Sequence, residues 1–472
     1  MYINADLHTH SIFAGGAGGG SLEKNLRMMR SRFVETQIIS QLKGVSYLGT
    51  GDVQFEPYLN FLESNLVEVE QGLFTYSVDE AELSKTVSKR GFEKFKESAN
   101  TPSDHLLERP DPRYILQTEL IFTAPIGRRR KKAHVIILFP NFESIRSLNV
   151  LLDKWGVSRE KMARPFVLGK NKEDISEKID AIFDLDSGVE VIPAHVMTPE
   201  GVYGGDLKIG RMEDFFGDSA ERIKVIETGL SADPDILGMV PELDSRVLIS
   251  NADAHSSALN RLGREFTSIE VKKESYSELI GAIRSGRIIK TAEFHPTEGR
   301  YFLTGHREKR KKPYTHNAGE FCYYSPRHLP EGGICPICKK SLTVGVLQRA
   351  HELGKIQGDH REFGQGPKRP FVTMVPLIEI LAYTRRIKTL RSKTLFREYM
   401  NIVRVLGDES RIWTDENSLD LLEASSDVVQ NINMVKQGNF CFSPPGYDGT
   451  YGRLKIGETY DLEDLKEEVV PK

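Results

Sequence analysis

The first 300 residues predict an α/β fold with a largely parallel sheet or barrel, on two observations. Short apolar runs alternate with longer amphipathic stretches, and His, Asp and Glu residues recur where the apolar runs end. Strands are expected over Val45 to Leu48, Ile115 to Thr123, His134 to Phe139, Val189 to Pro193, Ile223 to Glu227 and Val247 to Ser250. Their apolar and β-branched side chains suit buried strands. Helices are expected over Ser144 to Trp155, Lys172 to Phe183 and Ser275 to Ser285. The stretch from Leu62 to Pro112 is rich in Glu, Lys and Ser and closes on Arg109-Pro110-Asp111-Pro112, so it reads as an inserted helical excursion. From Tyr301 to about residue 350 Lys, Arg, Gly, Pro and three of the four cysteines crowd together, which predicts a small metal-stapled module. Residues 351–472 read as mainly helical, with Leu377 to Thr384 and Lys393 to Leu406 amphipathic. A Gly- and Pro-rich loop, Pro444 to Gly452, lies near the end.

Bulk composition narrows the class. A chain of 472 residues should hold two or three domains, and 39% hydrophobic with 28% charged residues is an ordinary globular balance. No apolar run approaches the roughly 18 residues of a membrane span, and the apolar stretch near Met1 is too short for a signal peptide. A soluble, cytoplasmic protein is expected, associated with the nucleoid if the source is prokaryotic. Four cysteines make no disulfide framework, and Cys335-Pro336-Ile337-Cys338 has zinc-binding spacing. With a net charge of −3, any nucleic-acid contact must come from local patches.

Asp6-Leu7-His8-Thr9-His10-Ser11 follows a short strand, and residues two apart in an extended segment project to one side. Alone, a His-x-His pair is as often two polar loop residues as a ligand pair. Near later strand ends stand Asp52, Glu119, His134, His195, Asp253 and His255. Five of the 12 histidines fall in these motifs, and strand ends of an α/β fold converge on one crevice, so a shared catalytic metal site outweighs scattered polar residues. Oxygen and imidazole donors without sulfur suit two or three divalent cations (Zn, Mn, Mg or Fe), with a carboxylate such as Glu119 bridging. Such cations activate water and bind phosphate oxygens.

These motifs, with Gly49-Thr50-Gly51-Asp52, Thr118-Glu119, Ala133-His134, Pro193-Ala194-His195 and Asn251-Ala252-Asp253-Ala254-His255-Ser256, resemble the ordered motifs of the PHP (polymerase and histidinol phosphatase) superfamily. The resemblance implies a distorted (β/α)7 barrel with two or three metals. It places His8, His10, Glu119 and Asp253 on a first cation, Glu119, His134 and His195 on a second, and Asp52 and His255 on a third. Asp253, Glu119 and His195 are the residues expected to carry catalysis. The chain departs from the family at Ala14-Gly15-Gly16-Ala17, where many members have another His, and at Asp52, where they carry His.

Cys335 and Cys338 need two further ligands for zinc. Cys322 is the natural third, and His306, His316 or His328 could be the fourth. Tyr301-Phe302-Leu303-Thr304-Gly305-His306-Arg307, Leu342-Thr343-Val344-Gly345-Val346, Arg261-Leu262-Gly263-Arg264-Glu265-Phe266, Val375-Pro376-Leu377 and Pro445-Gly446-Tyr447-Asp448-Gly449-Thr450-Tyr451-Gly452 narrow the likeness to proteins related to endonuclease Q, over nearly the whole chain. In that pattern a close Cys/His-x-x-Cys supplies the first zinc pair; His306 matches its first member, while Lys309 stands at the second. His306, Cys322, Cys335 and Cys338 are therefore expected to hold a structural zinc.

The domains then read as a PHP-type phosphoesterase over 1–300 with an insertion at 62–112, a zinc module over 301–350 and a helical domain over 351–472. The resemblance implies a DNA repair endonuclease that cuts 5′ to deaminated bases or abasic sites, with the damaged base extruded. Basic runs at Arg128 to Lys132, Arg307 to Lys312 and Arg385 to Lys393 fit phosphate contact, although such runs are usually solvated faces. Tyr447 and Tyr451 could stack on a base, or be core aromatics. A small-molecule phosphomonoesterase and a non-catalytic DNA-binding protein are the competing readings.

Overall fold

A computed structural model of the chain describes residues 1–14, 21–77, 111–158, 163–205, 207–308, 316–423 and 426–469. Its centre is a mixed 11-stranded sheet. β1 (Tyr2–Asp6) runs parallel to β2 (Tyr47–Gly49), which runs parallel to β5 (Arg113–Ile126). β5 turns back at Gly127 into β6 (Arg129–Phe139), and β6 pairs antiparallel with β8 (Glu190–Pro193). On the other side of β1 lie β11 (Phe266–Glu270) and β12 (Ile288–Phe294), both antiparallel to their neighbours in that direction. β9 (Val225–Glu227) and β10 (Val247–Ile249) form a parallel pair of their own. A bond from Val196 N–H to the Glu227 carbonyl ties this pair to the end of β8. A parallel bridge from Thr9 to Ala254 brings the end of β10 back to β1. The strand ends that carry the candidate ligands thus face one another.

The sheet divides two apolar cores, as the two-residue period of a strand requires. Ile3 and Ala5 of β1 and Leu7 just after it, Ile136 and Leu138 of β6, and Ile192 of β8 with Ala194 just after it pack with the helix Tyr276–Arg284. The alternate residues Val135, Ile137 and Val191 pack with the helices Leu22–Lys43, Phe142–Lys154 and Lys172–Phe183. Each fully buried aliphatic side chain contributes about 1.5–3 kcal/mol. The helices start where the sequence says they should: Asn171 accepts from the Asp174 N–H and Ser275 from the Glu278 N–H. Ile175, Ile179 and Ile182 then form the buried stripe of the helix they begin.

Three expectations change. The main sheet is mixed rather than largely parallel, because the β5–β6, β6–β8, β1–β11 and β11–β12 pairings are antiparallel. Residues 66–76 form no helix but a hairpin, β3 (Leu66–Glu70) and β4 (Leu73–Tyr76), whose Phe74 pairs with Tyr114 of β5. The alternation of Leu66-Val67-Glu68-Val69-Glu70 and a turn through Gly72 specify it. The rest of the expected insertion, 78–110, lies outside the described residues. Nor does the main sheet end at residue 300: β15 (Phe371–Met374) adds to it parallel to β12. Similarly, β13 (Thr304–His306) and β14 (Phe321–Tyr324) are joined by β18 (Lys466–Val469) from the far end of the chain. The region between is mainly helical, with helices Val346–Ile356, Leu377–Arg385, Lys393–Leu406 and Asp427–Lys436 and one hairpin, β16 (Phe440–Phe442) with β17 (Leu454–Ile456). Among the described residues no helix is long and apolar enough to cross a membrane.

Candidate metal centre and its cleft

His8 and His10 leave the end of β1, Glu119 and His134 face each other across the β5–β6 ladder, and His195 and Asp253 follow β8 and β10. Their donor atoms meet in three overlapping groups: His8, His10 and Glu119; Glu119, His134 and His195; His10, Asp253 and His255. The Nε2 atoms of His8 and His10 are 3.2 Å apart, and His10 Nε2 is 3.0 Å from Asp253 Oδ1. Ligands at about 2.0–2.1 Å from one cation stand at such spacings from each other. Asp253 Oδ1 is buried without a properly directed hydrogen bond, as expected of a lone pair aimed at a cation. Glu119 reaches both sides of the cluster: Oε1 meets His134 Nδ1 at 2.6 Å, His195 Nε2 at 3.5 Å and His8 Nε2 at 3.8 Å, while Oε2 faces His10 Nε2 at 3.6 Å. That is the arrangement of a carboxylate able to bridge two cations.

Seven of the eight expected ligands therefore come together, and Asp52 is the correction. It lies behind His10, its Oδ1 3.4 Å from His10 Nδ1 and its Oδ2 accepting from the Ser11 N–H and hydroxyl. It orients an imidazole and is in none of the three groups. Glu227, which the sequence reading missed, does the same for His8: its oxygens lie 3.0 and 3.2 Å from His8 Nδ1, and it also accepts from the His195 N–H and the Asn251 amide. It ends an expected strand, the very position that singled out the other ligands. Arg164, 3.1 Å from Glu119 Oε2, was also missed, because nothing in the sequence marks a loop arginine.

Backbone strain concentrates here. Asp52, His195 and Asp253 are three of the six described non-glycine residues with φ between +31° and +57°. Gly229, at φ +79°, lies against His195, where an added Cβ would come within 2.4 Å of the His195 Cβ. The charges are coupled too. Burial favours the neutral form of Glu119, but His134, His195 and His10 hold it well below the usual carboxylate range. Burial likewise opposes protonation of His10 and His195, yet the facing carboxylates push them up to about 10 and about 9. The pocket demands positive charge, which imidazolium protons or divalent cations can supply, and cations would displace those protons.

The cluster opens into a cleft of about 620 Å³, lined on the metal side by His134, Arg164, His195 and Asp253. Its far wall includes Arg261, Arg264, Glu298, Arg300 and Tyr451.

The small module brings together His306, His316, Cys335 and Cys338. His316 Nε2 is 3.3 Å from Cys335 Sγ and His306 Nδ1 is 3.4 Å from Cys338 Sγ. The other ring nitrogens meet backbone carbonyls, of Glu320 and Ser341 respectively. An imidazole held this way can present its other nitrogen to a metal. Cys322 is the correction: its sulfur lies 3.7 Å from that of Cys335 but outside the quartet, and His316 takes its place. His328 faces Asp464 instead.

The basic runs divide. In Arg128 to Lys132, Arg130 bonds to Thr123 and the Gly169 carbonyl, and the buried Lys131 to the Gly204 carbonyl. Arg385 is matched by Glu398 and Asp427. Lys309 and the rest of 309–312 lie outside the described residues, as does 15–17 of the Ala14 to Ala17 departure. Tyr447 is a core residue packed on Tyr323, whereas Tyr451 is 42% exposed on the cleft wall.

No family model matches the chain. It is 29% identical over 251 residues to an uncharacterized protein of Methanocaldococcus jannaschii, covering 52% of this chain and 30% of that protein's length. It is 26% identical over 331 residues to the uncharacterized protein YqxK of Bacillus subtilis, covering 68% of this chain and 73% of that protein. Two solved structures share its fold over almost the full length. One is the lesion-specific endonuclease Q of Pyrococcus furiosus, with TM-score 0.71, 24% identity, and 97% and 96% of the two chains covered. The other is endonuclease Q with a 27-mer duplex carrying an abasic lesion at its active site, with TM-score 0.71, 25% identity and 97% of each chain covered.

Proposed function

We propose that this chain, which shares its fold with endonuclease Q, is a DNA repair endonuclease of the PHP type. It hydrolyses the phosphodiester 5′ to a deaminated base (uracil, hypoxanthine or xanthine) or an abasic site, leaving a 3′-hydroxyl and a 5′-phosphate. The observation that carries this reading is the convergence of seven imidazole and carboxylate ligands on one cleft in a chain that matches a DNA-bound endonuclease Q from end to end.

The donor set fits hard or borderline divalent cations, and Asp253 Oδ1, ringed by imidazoles without a well-directed hydrogen bond, fits a ligand position. Two or three such cations, when bound, supply Lewis-acid activation of water and neutralise the phosphate. His8, His10, Glu119, His134, His195, Asp253 and His255 hold them, and Glu227 and Asp52 keep the imidazoles aligned. Arg164, on the cleft wall, adds a fixed positive charge for the scissile phosphate. The quartet His306, His316, Cys335 and Cys338 holds one structural zinc. Deaminated bases pair poorly, so extruding one into the cleft costs less than extruding a paired base. We place the protein in the cytoplasm, or on the nucleoid of a prokaryote.

The test uses duplexes with a single uracil, hypoxanthine or abasic site, incubated with the full chain and Mg²⁺ or Mn²⁺. A nick on the 5′ side with ligatable ends after repair of the lesion is expected. Hydrolysis of a small phosphomonoester without any nick would defeat the reading in favour of a small-molecule phosphatase. DNA binding with no bound catalytic metal would defeat it in favour of a non-catalytic protein.

A further inference from the structure

The far wall of the cleft is made by the turn after β12. Thr297, Glu298, Gly299 and Arg300 are held there by the Gly-rich segment near the end of the chain. Gly446 N–H donates to the Thr297 carbonyl at 2.6 Å, Gly449 N–H to Arg300 at 2.8 Å and Gly452 N–H to Glu298 at 3.0 Å. The approach needs glycine: a Cβ on Gly446 would come within 1.9 Å of the Gly299 carbonyl oxygen. The strap sets the guanidinium of Arg300 5.4 Å from the ring of Tyr451 and leaves that ring partly exposed. It also fixes Glu298, a residue of the cleft lining. Its Oε2 is buried and makes no hydrogen bond. Such a buried orphan costs stability unless a ligand uses it.

Resting on the endonuclease reading, we infer that Glu298 and Tyr451 form the receptor for the extruded base. Tyr451 stacks on its face, and the Glu298 carboxyl pairs with its lactam edge, an N–H beside a C=O.

Uracil, hypoxanthine and xanthine all carry that edge, and an abasic site carries nothing in its place. Burial and the nearby Glu379 push Glu298 up to about 8, against Arg264 and Arg261, so at neutral pH it is mostly the uncharged acid. An uncharged carboxyl offers O–H and C=O side by side, which matches a lactam with two hydrogen bonds. The amidine edge of adenine or cytosine would also fit. Glu298 therefore binds whichever base arrives, and selection against undamaged bases rests on the higher cost of extruding them. The cleft volume is within the roughly 300–1,000 Å³ of ordinary small-molecule sites.

The experiment measures kcat/KM for nicking uracil and abasic duplexes with the wild type, Glu298→Gln, Glu298→Ala, Glu298→Met and Tyr451→Ala. The readout is the uracil-to-abasic ratio. Losing a two-bond edge contact should lower this ratio about tenfold or more in Glu298→Ala. Glu298→Gln, whose amide keeps a donor beside an acceptor, should hold it within about threefold of wild type. Tyr451→Ala should also lower it, by about tenfold, since base stacking is worth about 1–3 kcal/mol. If the alanine chain fails to fold, Glu298→Met fills the same space without polar atoms and must show the same fall. Ratios within twofold of wild type in both apolar Glu298 variants would overturn the inference while leaving the endonuclease reading standing. A wild-type protein that nicks neither duplex would remove that reading, and this inference with it.

Discussion

The chain carries two groups of metal-type donors, and they are built by opposite rules. In the large cluster the imidazoles of His8 and His10 are backed by carboxylates, Glu227 and Asp52, and the donors open onto a cleft. In the small module His306 and His316 are backed by backbone carbonyls, and two thiols complete the set. Charged backing makes an imidazole a more basic ligand and leaves the site responsive to what enters it. Carbonyl backing only fixes the ring. On the proposed reading, the open site serves the chemistry and the closed one holds the fold.

The sharpest way to break this contrast is Asp253→Asn. It should lower nicking on the order of 10³-fold or more with little change in melting temperature, because it removes a ligand of the open site. A loss of fold with the loss of activity would mean that the two sites are not so different. In the module, Cys335→Ser or His316→Ala should cost at least about 3 kcal/mol of stability and one equivalent of zinc. Cys322→Ser should retain that zinc; metal analysis beside thermal melting separates the three. Glu227→Gln should keep the metals but slow nicking about 10- to 100-fold, the usual effect of losing a carboxylate behind a ligating imidazole. A rate within twofold of wild type would reduce Glu227 to packing.

The smallest effect concerns His295, at the foot of the cleft wall against Phe440 and Phe442. Burial lowers it from 6.5 to about 4. The unfolded chain takes up that proton first as pH falls, so the stabilisation is complete above about pH 6.5 and is lost toward pH 4, amounting to up to roughly 2 kcal/mol by pH 5. The melting temperature should fall between pH 7 and 5 for the wild type and fall much less for His295→Phe.

How much of this was legible without coordinates depends on whether the signal was local. Lys172–Phe183 and Lys393–Leu406 begin and end where their apolar period places them, and Asn171 caps the first. The cluster was legible because strand-end His, Asp and Glu residues are rare enough to stand out. Glu227 carried the same signal and was passed over, since a single carboxylate in a strand such as Val225-Ile226-Glu227 resembles many surface positions. Asp52 was legible as part of the site but not as the residue behind His10, because only distances distinguish a ligand from its support. The exchange of Cys322 for His316 had no local cue: spacing favours any nearby Cys, and the 309–315 stretch before His316 has no periodicity to place it. The 66–76 hairpin was hidden by the polar composition of the stretch after it.

One consequence follows from the way distant segments return to the first half of the chain. β15 completes the sheet beside β12, and the buried Lys43 is matched at 2.7 Å by Glu409, which also accepts from the Leu377 N–H and the Tyr399 hydroxyl. A shortened gene product ending near residue 300 would expose a raw sheet edge and leave Lys43 without the carboxylate that balances it. It would be expected to clump in the cell, so this chain can be re-engineered by substitution far more readily than by trimming.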